Sequence, residues 1–215
     1  MSGPGVSPSA AGQGLVARGV KLGRSGRPVL AGIDFALGPG ELLQVTGRNG
    51  SGKTSLLRVL AGLMAPDEGT LSWRQRPVRG GDAGYLRCIA YVGHSDGLAP
   101  ELDARANLDY AQWLAAEAPD AGAVDRALAA FGLDPHGAAA VGKLSQGQRR
   151  RVALARLALV RRELWLLDEP LTALDAEAAK CWRGQLAEHL RAGGMAVVAT
   201  HQPVGAQGAV LQLGA

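Results

Sequence analysis

Short apolar runs separated by turns rich in glycine and proline recur along the chain. Buried strands have this character because both of their faces are covered, and four runs are predicted to be such strands: 42–46, 88–92, 164–167 and 195–200. Nearer the amino terminus the apolar residues alternate with others. A period of two predicts half-buried strands for two sets of residues: Val16, Val20 and Leu22, and then Ile33, Phe35 and Leu37.

Residues 102–131 differ from the rest because they are rich in alanine and carry apolar residues at helical spacing. This pattern predicts helices, with Asp120 and Gly132 as the start and stop signals of the second one. A further helix is predicted over 176–190. Because the alanine-rich block lies between predicted strands, we expect an α/β fold with an inserted helical subdomain, about residues 95–160.

Composition limits the class of protein. The 215 residues are 47% hydrophobic and 20% charged, which predicts a packed globular fold. The formal net charge of +4 suits phosphate ligands, an anionic membrane surface, a nucleic acid or a solvated mixed surface equally well. Cys88 and Cys181 are far apart and have no metal-ligand spacing, so two reduced thiols are expected.

The chain shows no apolar run of the ~20 residues that a membrane span requires. Residues 1–14 are mostly glycine, proline, serine and alanine, without the basic and apolar regions of a signal peptide, and they are predicted to be a flexible tail. We therefore expect a cytoplasmic protein whose membrane role, if it has one, depends on a partner.

One loop matches the phosphate-binding pattern G-x-x-x-x-G-K-[ST] between a predicted strand and a predicted helix. Its glycines allow backbone N–H groups to surround a polyphosphate, and the helix start adds a positive dipole end. Lys53 is expected to neutralise the β- and γ-phosphates, and the Thr54 hydroxyl to bind Mg²⁺. The predicted nucleotide contacts are Gly47, Arg48, Asn49, Gly50, Ser51, Gly52, Lys53 and Thr54.

Two acids close the apolar run 164–167. Asp168 is expected to hold Mg²⁺, as the second element of a phosphate-loop site requires. Glu169 is the candidate to orient or deprotonate the attacking water, so it is a predicted catalytic residue. The alternative is an acid pair at a helix start, which the presence of the phosphate loop disfavours.

Residues 145–148 have the S-x-x-Q spacing of a capping box, and Arg149, Arg150 and Arg151 follow directly. A capped helix with a glycine in its first turn is also an anion site, because its free N–H groups and dipole point outward. Three cations at a helix start oppose that dipole, and a nearby anion would remove the conflict. Ser145, Gly147 and Gln148 are therefore predicted to contact nucleotide.

Together these motifs resemble those of ATP-binding subunits of ABC transporters. Residues 144–148 resemble the signature sequence of that family, Asp168 with Glu169 resembles the Walker B end, Asp175 closes a segment similar to the D-loop, and His201 resembles the switch histidine. The resemblance runs from about Leu15 onward. It implies a P-loop NTPase (RecA-like) core with a small antiparallel β subdomain and an inserted α-helical subdomain over 15–215.

The resemblance also implies a head-to-tail pair of subunits. ATP would lie between loop 47–54 of one copy and turn 145–148 of the other, with His201 on the γ-phosphate as a catalytic residue and Asp175 coupling the two sites. His94 takes the Q-loop position, where it could ligate Mg²⁺ or pair with phosphate or water. Arg24 stands where the family places an aromatic residue on the adenine ring, which leaves the preference for ATP or GTP open.

Within the family, His94, Pro203 and the arginine-rich helix start are similar to the ATPase subunits of bacterial cytochrome c maturation systems. This implies a peripheral subunit at the cytoplasmic face of the inner membrane, bound to integral membrane permease subunits. ATP would drive heme export or the release of a heme-loaded chaperone. The alternatives are the ATPase of another export system and an ABC-type ATPase acting on DNA or ribosomes. The ATPase acting on DNA or ribosomes is disfavoured, because 215 residues leave no room for a second ATPase half. No nucleic-acid partner is expected.

Overall fold

The computed structural model describes residues 14–24, 27–115, 120–133 and 139–214. Its strands form one antiparallel and one parallel sheet. In chain order the strands are β1 (Leu15–Arg24), β2 (Arg27–Leu37), β3 (Leu42–Thr46), β4 (Glu68–Trp73), β5 (Arg76–Pro77), β6 (Ile89–Val92), β7 (Leu164–Asp168), β8 (Met195–Ala199) and β9 (Ala209–Gln212).

The antiparallel sheet has the order β2-β1-β4-β5, and the parallel sheet has the order β6-β7-β8-β3-β9. All pairings in the second sheet are parallel, so the carboxyl ends of its strands meet at one edge. The loops that follow β3, β6, β7 and β8 leave from that edge. Every sequence-predicted nucleotide contact that follows a strand is therefore brought to the same side of the molecule.

Helices cover both faces of the parallel sheet. They are α1 (Lys53–Leu60), α2 (Ala83–Leu86), α3 (Ala104–Leu114), α4 (Ala121–Ala130), α5 (Gln146–Leu159) and α6 (Ala176–Arg191), with a 3₁₀ turn at Val141–Lys143. Five of them begin with a side-chain cap that accepts a backbone N–H of the first turn: Asp82, Asp103, Asp120, Ser145 and Asp175. Such caps satisfy N–H groups that have no partner within the helix.

The parallel sheet separates two apolar clusters. Side chains on a strand alternate between faces, so Leu164 and Leu166 contact α1 and the antiparallel sheet, whereas Trp165 and Leu167 contact the helices α3 to α6. All five residues of β7 are buried, and so are all five of β8. Burial on both faces explains why these strands are continuous apolar runs in the sequence.

The predicted α/β class with a parallel core sheet is confirmed, and helix α4 begins after Asp120 and ends before Gly132 as expected. Residues 116–119 and 134–138 of the predicted helical subdomain lie outside the described residues. Strand β9 and the four-residue helix α2 were not predicted. Within the part of the chain that the structure describes, no helix combines the length and the apolar character that a membrane span needs.

One expectation near the amino terminus was wrong in detail. Val16 does not share a face with Val20, because an irregularity in the β1–β2 and β1–β4 pairing shifts the alternation between Ala17 and Val20, and Leu15 and Ala17 are buried instead. Residues 1–13 of the predicted tail lie outside the described residues. Gly14, the last residue assigned to that tail, is buried, and its carbonyl accepts a hydrogen bond from the Arg74 backbone N–H.

Candidate nucleotide-binding site

Loop 47–54 joins β3 to α1 at the carboxyl edge of the parallel sheet. Gly52 occupies the helix-capping position with φ 100°, a left-handed conformation that glycine adopts without steric penalty. A Cβ on Gly47 would lie 2.5 Å from Ser51 Oγ and 2.7 Å from the Leu213 carbonyl oxygen, so only glycine fits there. The residues after β9 thus form one wall of the loop.

The Lys53 side chain lies within this loop and is only 8% exposed. Its Nζ donates hydrogen bonds to the carbonyl oxygens of Gly47, at 2.8 Å, and Arg48, at 3.3 Å. Ser51 Oγ is buried and has no hydrogen-bond partner among the residues that the structure describes. A buried cation that is held only by backbone carbonyls, together with an unpartnered hydroxyl, forms a polar cradle suited to an anion.

Asp168 ends β7 and faces the same loop. Its Oδ2 accepts a hydrogen bond of 2.7 Å from the Thr54 hydroxyl, and the residue is 3% exposed. A carboxylate and a hydroxyl, both hard oxygen donors, are thereby held together beside the phosphate loop. This donor set fits Mg²⁺, which prefers one or two protein oxygens and completes its shell with phosphate and water.

Glu169 follows with a positive φ of 47°, an uncommon backbone conformation for a residue with a side chain. Its N–H donates to the Ala199 carbonyl at 2.8 Å, which holds the strained position against β8. Glu169 Oε2 lies 3.0 Å from Nδ1 of His201. Adjacent strands therefore bring the acid that follows Asp168 and the histidine that follows β8 into direct contact.

Arg150, in the second turn of α5, connects three parts of this edge. Its Nη2 donates to the backbone carbonyl of Asp168, and its Nη1 donates to the Gly93 carbonyl at 2.8 Å and to Asp96 Oδ1 at 3.2 Å. A cavity of about 30 Å³ lies beside these groups, and its lining includes His94 and Glu169. The sequence placed Arg150 among basic residues at a helix start but gave no sign of these contacts.

Burial shifts the pKa of two groups on neighbouring elements, Tyr91 in β6 and Arg156 in α5. Burial raises the pKa of the Tyr91 phenol, and a hydrogen bond from Arg58 partly opposes that change while Asp168 adds to it. Burial also lowers the pKa of the Arg156 guanidinium, and the Asp96 carboxylate acts in the opposite direction. Tyr91 and Arg156 thus lie in partly desolvated surroundings, where charges interact more strongly than in water.

Turn 145–148 has the predicted capping box, in which Ser145 Oγ accepts the Gln148 N–H and Gln148 Oε1 accepts the Ser145 N–H. Ser145 is exposed. A Cβ on Gly147 would lie 2.5 Å from the Ala173 carbonyl oxygen, so the turn packs closely on the segment that leads to α6. Asp175 caps α6 through the Ala178 N–H at 2.8 Å.

The structure brings one group of the predicted site residues to the carboxyl edge of the sheet: residues 47–54, His94, Asp168, Glu169 and His201. It places Ser145, Gly147, Gln148 and Asp175 together at the start of α5 and α6. Arg24 ends β1 beside Arg27, and residues 25–26 between them lie outside the described residues. The chemical roles of all these residues remain predictions.

The comparison with known proteins agrees with this geometry. The family profile for ABC transporters matches residues 30–172. A dimeric ATP-binding cassette, solved bound to ADP and Pi, superposes with a TM-score of 0.80 over 93% of this chain and 94% of its own, at 24% identity. The chain belongs to the ABC transporter family. The fold class and the ATP-binding, ATP-hydrolysing class of activity predicted from the sequence are confirmed.

The similar curated proteins narrow the family further. This chain is 63% identical to the cytochrome c biogenesis ATP-binding export protein CcmA of Cupriavidus necator, over 87% of this chain and 82% of that protein. It is 56% identical to the cytochrome c biogenesis ATP-binding export protein CcmA 2 of Cupriavidus metallidurans, over 93% of this chain and 94% of that protein. The resemblance predicted from His94, Pro203 and the arginine-rich helix start is thereby confirmed.

Proposed function

We propose that this chain is the ATPase subunit that energises a membrane complex of c-type cytochrome biogenesis. The observation that carries the proposal is the meeting of Thr54 with Asp168 and of Glu169 with His201 at one sheet edge. Relatives that match nearly the whole chain are named for cytochrome c biogenesis and ATP binding. Residues 15–215 form the ATPase domain in this proposal, with residues 95–160 as its helical subdomain.

ATP binding begins at loop 47–54. The N–H groups of the loop and of the first turn of α1 surround the phosphates, and Lys53 exchanges its carbonyl acceptors, Gly47 and Arg48, for β- and γ-phosphate oxygens. That exchange is favourable because a charge-assisted hydrogen bond to phosphate is stronger than one to a neutral carbonyl. The buried hydroxyl of Ser51 gains a partner at the same time.

The Mg²⁺ site of the proposal consists of the Thr54 hydroxyl and the Asp168 carboxylate, with His94 as a further candidate at the cavity. When bound, the ion neutralises charge that develops on the phosphate oxygens. The chain itself keeps Asp168 in place through its backbone, because its carbonyl is held by Arg150 while its side chain contacts Thr54.

Hydrolysis is assigned to Glu169 and His201. Glu169 orients a water molecule in line with the γ-phosphorus and accepts its proton as the new P–O bond forms and the bond to the ADP oxygen breaks. His201 contacts the γ-phosphate, and its Nδ1 lies 3.0 Å from Glu169 Oε2, so it holds the carboxylate in place. Pre-positioning of the acid avoids reorganisation when the substrate arrives.

The second copy of the chain supplies turn 145–148. The capping box uses the Ser145 and Gln148 N–H groups, and the N–H groups of Gln146 and Gly147 are left for an anion outside the subunit. Asp175 lies beside this turn, within 3.7 Å of Arg151, where it can couple the two copies. A head-to-tail pair places each turn against the γ-phosphate held by the other copy's Lys53, and a solved cassette of the same fold is dimeric.

The membrane partner is proposed to dock on helix α3. Tyr110, Trp113 and Leu114 are each more than half exposed, and the Tyr110 and Trp113 rings stack with their centroids 6.0 Å apart. Exposed aromatic patches on otherwise polar surfaces mark interaction sites. Integral membrane permease subunits that bind here would hold the chain at the cytoplasmic face of the bacterial inner membrane, where ATP drives heme export or release of a heme-loaded chaperone.

A complementation experiment tests the function. A strain that lacks this chain should accumulate apocytochromes and lose c-type cytochromes on heme-stained gels, and the wild-type chain should restore them. Lys53→Ala should not, because it removes the cation that anchors the phosphates. Normal c-type cytochromes in the strain without the chain would instead favour the ATPase of another export system.

A co-purification experiment tests the partner. Trp113→Ser should lower recovery of the chain with integral membrane proteins from detergent extracts while ATP binding is retained, since Trp113 is remote in sequence from loop 47–54 and 67% exposed. Leu63→Ser is the matched control because Leu63 is 62% exposed but lies outside α3. Recovery with ribosomes or DNA and no membrane partner would refute the transporter assignment.

A further inference from the structure

We infer that Arg150 is a positioning residue that links the nucleotide site of its own subunit to turn 145–148, which faces the second copy. The inference rests on the proposed function, because it gives a physical connection between the two nucleotides of the dimer. Arg150 belongs to α5, the helix that begins with the turn, and all of its acceptors lie at the carboxyl edge of the sheet.

Asp168 is held through both its side chain and its backbone carbonyl. Thr54, in the phosphate loop, donates to its carboxylate at 2.7 Å, and Arg150 donates to its backbone carbonyl. Any movement of Asp168 when a nucleotide binds at loop 47–54 is therefore passed to the guanidinium. Since the buried face of α5 includes residues 152–155, the helix moves as a unit and carries turn 145–148 with it.

The same guanidinium also contacts the residues on either side of His94, which takes the Q-loop position. Its Nη1 contacts the Gly93 carbonyl at 2.8 Å and Asp96 Oδ1 at 3.2 Å, and His94 lies between these two residues. His94 lines the small cavity together with Asp168 and Glu169. One side chain thus sets the mutual position of the end of β7, the loop after β6 and the start of α5.

Stability alone does not explain a charged residue here. Arg150 is 5% exposed, and its Nε has no hydrogen-bond partner within the described part of the chain. A cation early in a helix also opposes the helix dipole. A buried charge pair such as Arg150 with Asp96 can often be replaced by apolar side chains without loss of stability. What an apolar residue cannot do is hold three oxygen acceptors in a fixed arrangement, which the planar fork of arginine does.

The test compares Arg150→Met with Arg156→Met. Arg156 lies on the same helix and is also largely desolvated, but it donates to the Gly97 carbonyl rather than to Asp168. Both changes are made in the wild-type chain, where kcat and KM are measured. They are also made in the Glu169→Gln variant, where calorimetry gives the ATP dissociation constant and light scattering gives the fraction of ATP-driven dimer.

For Arg150→Met we expect the ATP dissociation constant to change by less than about threefold, because loop 47–54 is intact. The dimer should weaken and kcat should fall by about 10- to 100-fold, as for other residues that orient a metal-binding carboxylate. Arg156→Met should leave both unchanged. Asp96→Ala, which removes one acceptor of the guanidinium on its more exposed side, should reproduce the same pattern if Arg150→Met folds poorly.

Two results would overturn the inference. If Arg150→Met dimerises with ATP and turns over as its parent chain does, the Arg150 guanidinium has no role in linking the two nucleotide sites. A loss of ATP affinity as large as the loss of dimer would mean that Arg150 only supports the pocket. If Glu169→Gln by itself stays monomeric with ATP, the proposed dimer is wrong, and the inference fails with it.

Discussion

Gly147 offers a quantitative test of how closely turn 145–148 is built against its own subunit. It lies in the first turn of α5, and a Cβ at this position would meet the Ala173 carbonyl oxygen at 2.5 Å. Because that atom belongs to the backbone, no side-chain rotation can relieve the contact. Gly147→Ala must therefore displace the turn from residues 172–175, the segment that carries Asp175.

The size of the effect follows from the distance. Real contacts of a Cβ do not fall below 3.0 Å, so the turn must shift by about 0.5 Å. Overpacking of this kind costs about 1–3 kcal/mol, and the better helix propensity of alanine returns at most about 1 kcal/mol. Since a misplacement of ~1 Å can lower a rate by ~100-fold, we expect kcat to fall by about tenfold.

The matched control is Gly184→Ala. Gly184 lies inside α6 and is exposed, and a Cβ there would meet nothing within 4 Å. Alanine should stabilise this helix by about 0.5–1 kcal/mol in urea unfolding and leave kcat unchanged. If Gly147→Ala were stabilised to the same extent and kept its kcat, the close approach to Ala173 would not constrain the turn, and the reasoning would be refuted.

Two further predictions concern Glu169 and His189. Glu169→Gln should bind ATP normally but hydrolyse it at least ~100-fold more slowly, so that an ATP-bound dimer accumulates in gel filtration; normal turnover would remove Glu169 as the base. Burial lowers the pKa of His189 below its usual value of 6.5, and its ring stacks on Trp165 at 3.9 Å. The unfolded imidazole therefore takes up a proton at a higher pH than the folded one, so stability is full above pH 6.5 and declines as the pH falls below it. His189→Phe, which keeps a ring against Trp165, should flatten the decline in melting temperature between pH 7 and 5.5; an unchanged decline would assign it to other groups.

Most of the parallel sheet could be predicted from the sequence, because its strands are buried on both faces and so appear as apolar runs. Leu42–Thr46 is a strand over the predicted range, and the structure places the glycine loop directly after it. Strand β9 escaped prediction because it lies at the sheet edge, where its residues are exposed or half-buried and show neither a continuous run nor alternation. Helix α2 is too short for any period to be visible.

The composition of the site was predictable, but its connections were not. Loop 47–54, Asp168 and Glu169 have local patterns that depend only on neighbouring residues. The contacts of Arg150 join residues from three separate segments, and the same sequence of three arginines fits a solvated helix face equally well. The shift of Val16 away from Val20 likewise depends on an irregularity in strand pairing, which a simple period of two cannot anticipate.

The position of β3 has a consequence for biosynthesis. Its two neighbours in the parallel sheet, β8 and β9, are synthesised long after it, and the carbonyl of Leu213 lies beside Gly47. Pairing between segments this distant in the chain forms late and slowly. We therefore expect a nascent chain to expose its phosphate loop before the neighbouring strands of the loop are made. The apolar residues of β3 stay unpaired until β8 and β9 have been made. A chaperone is most needed during that interval.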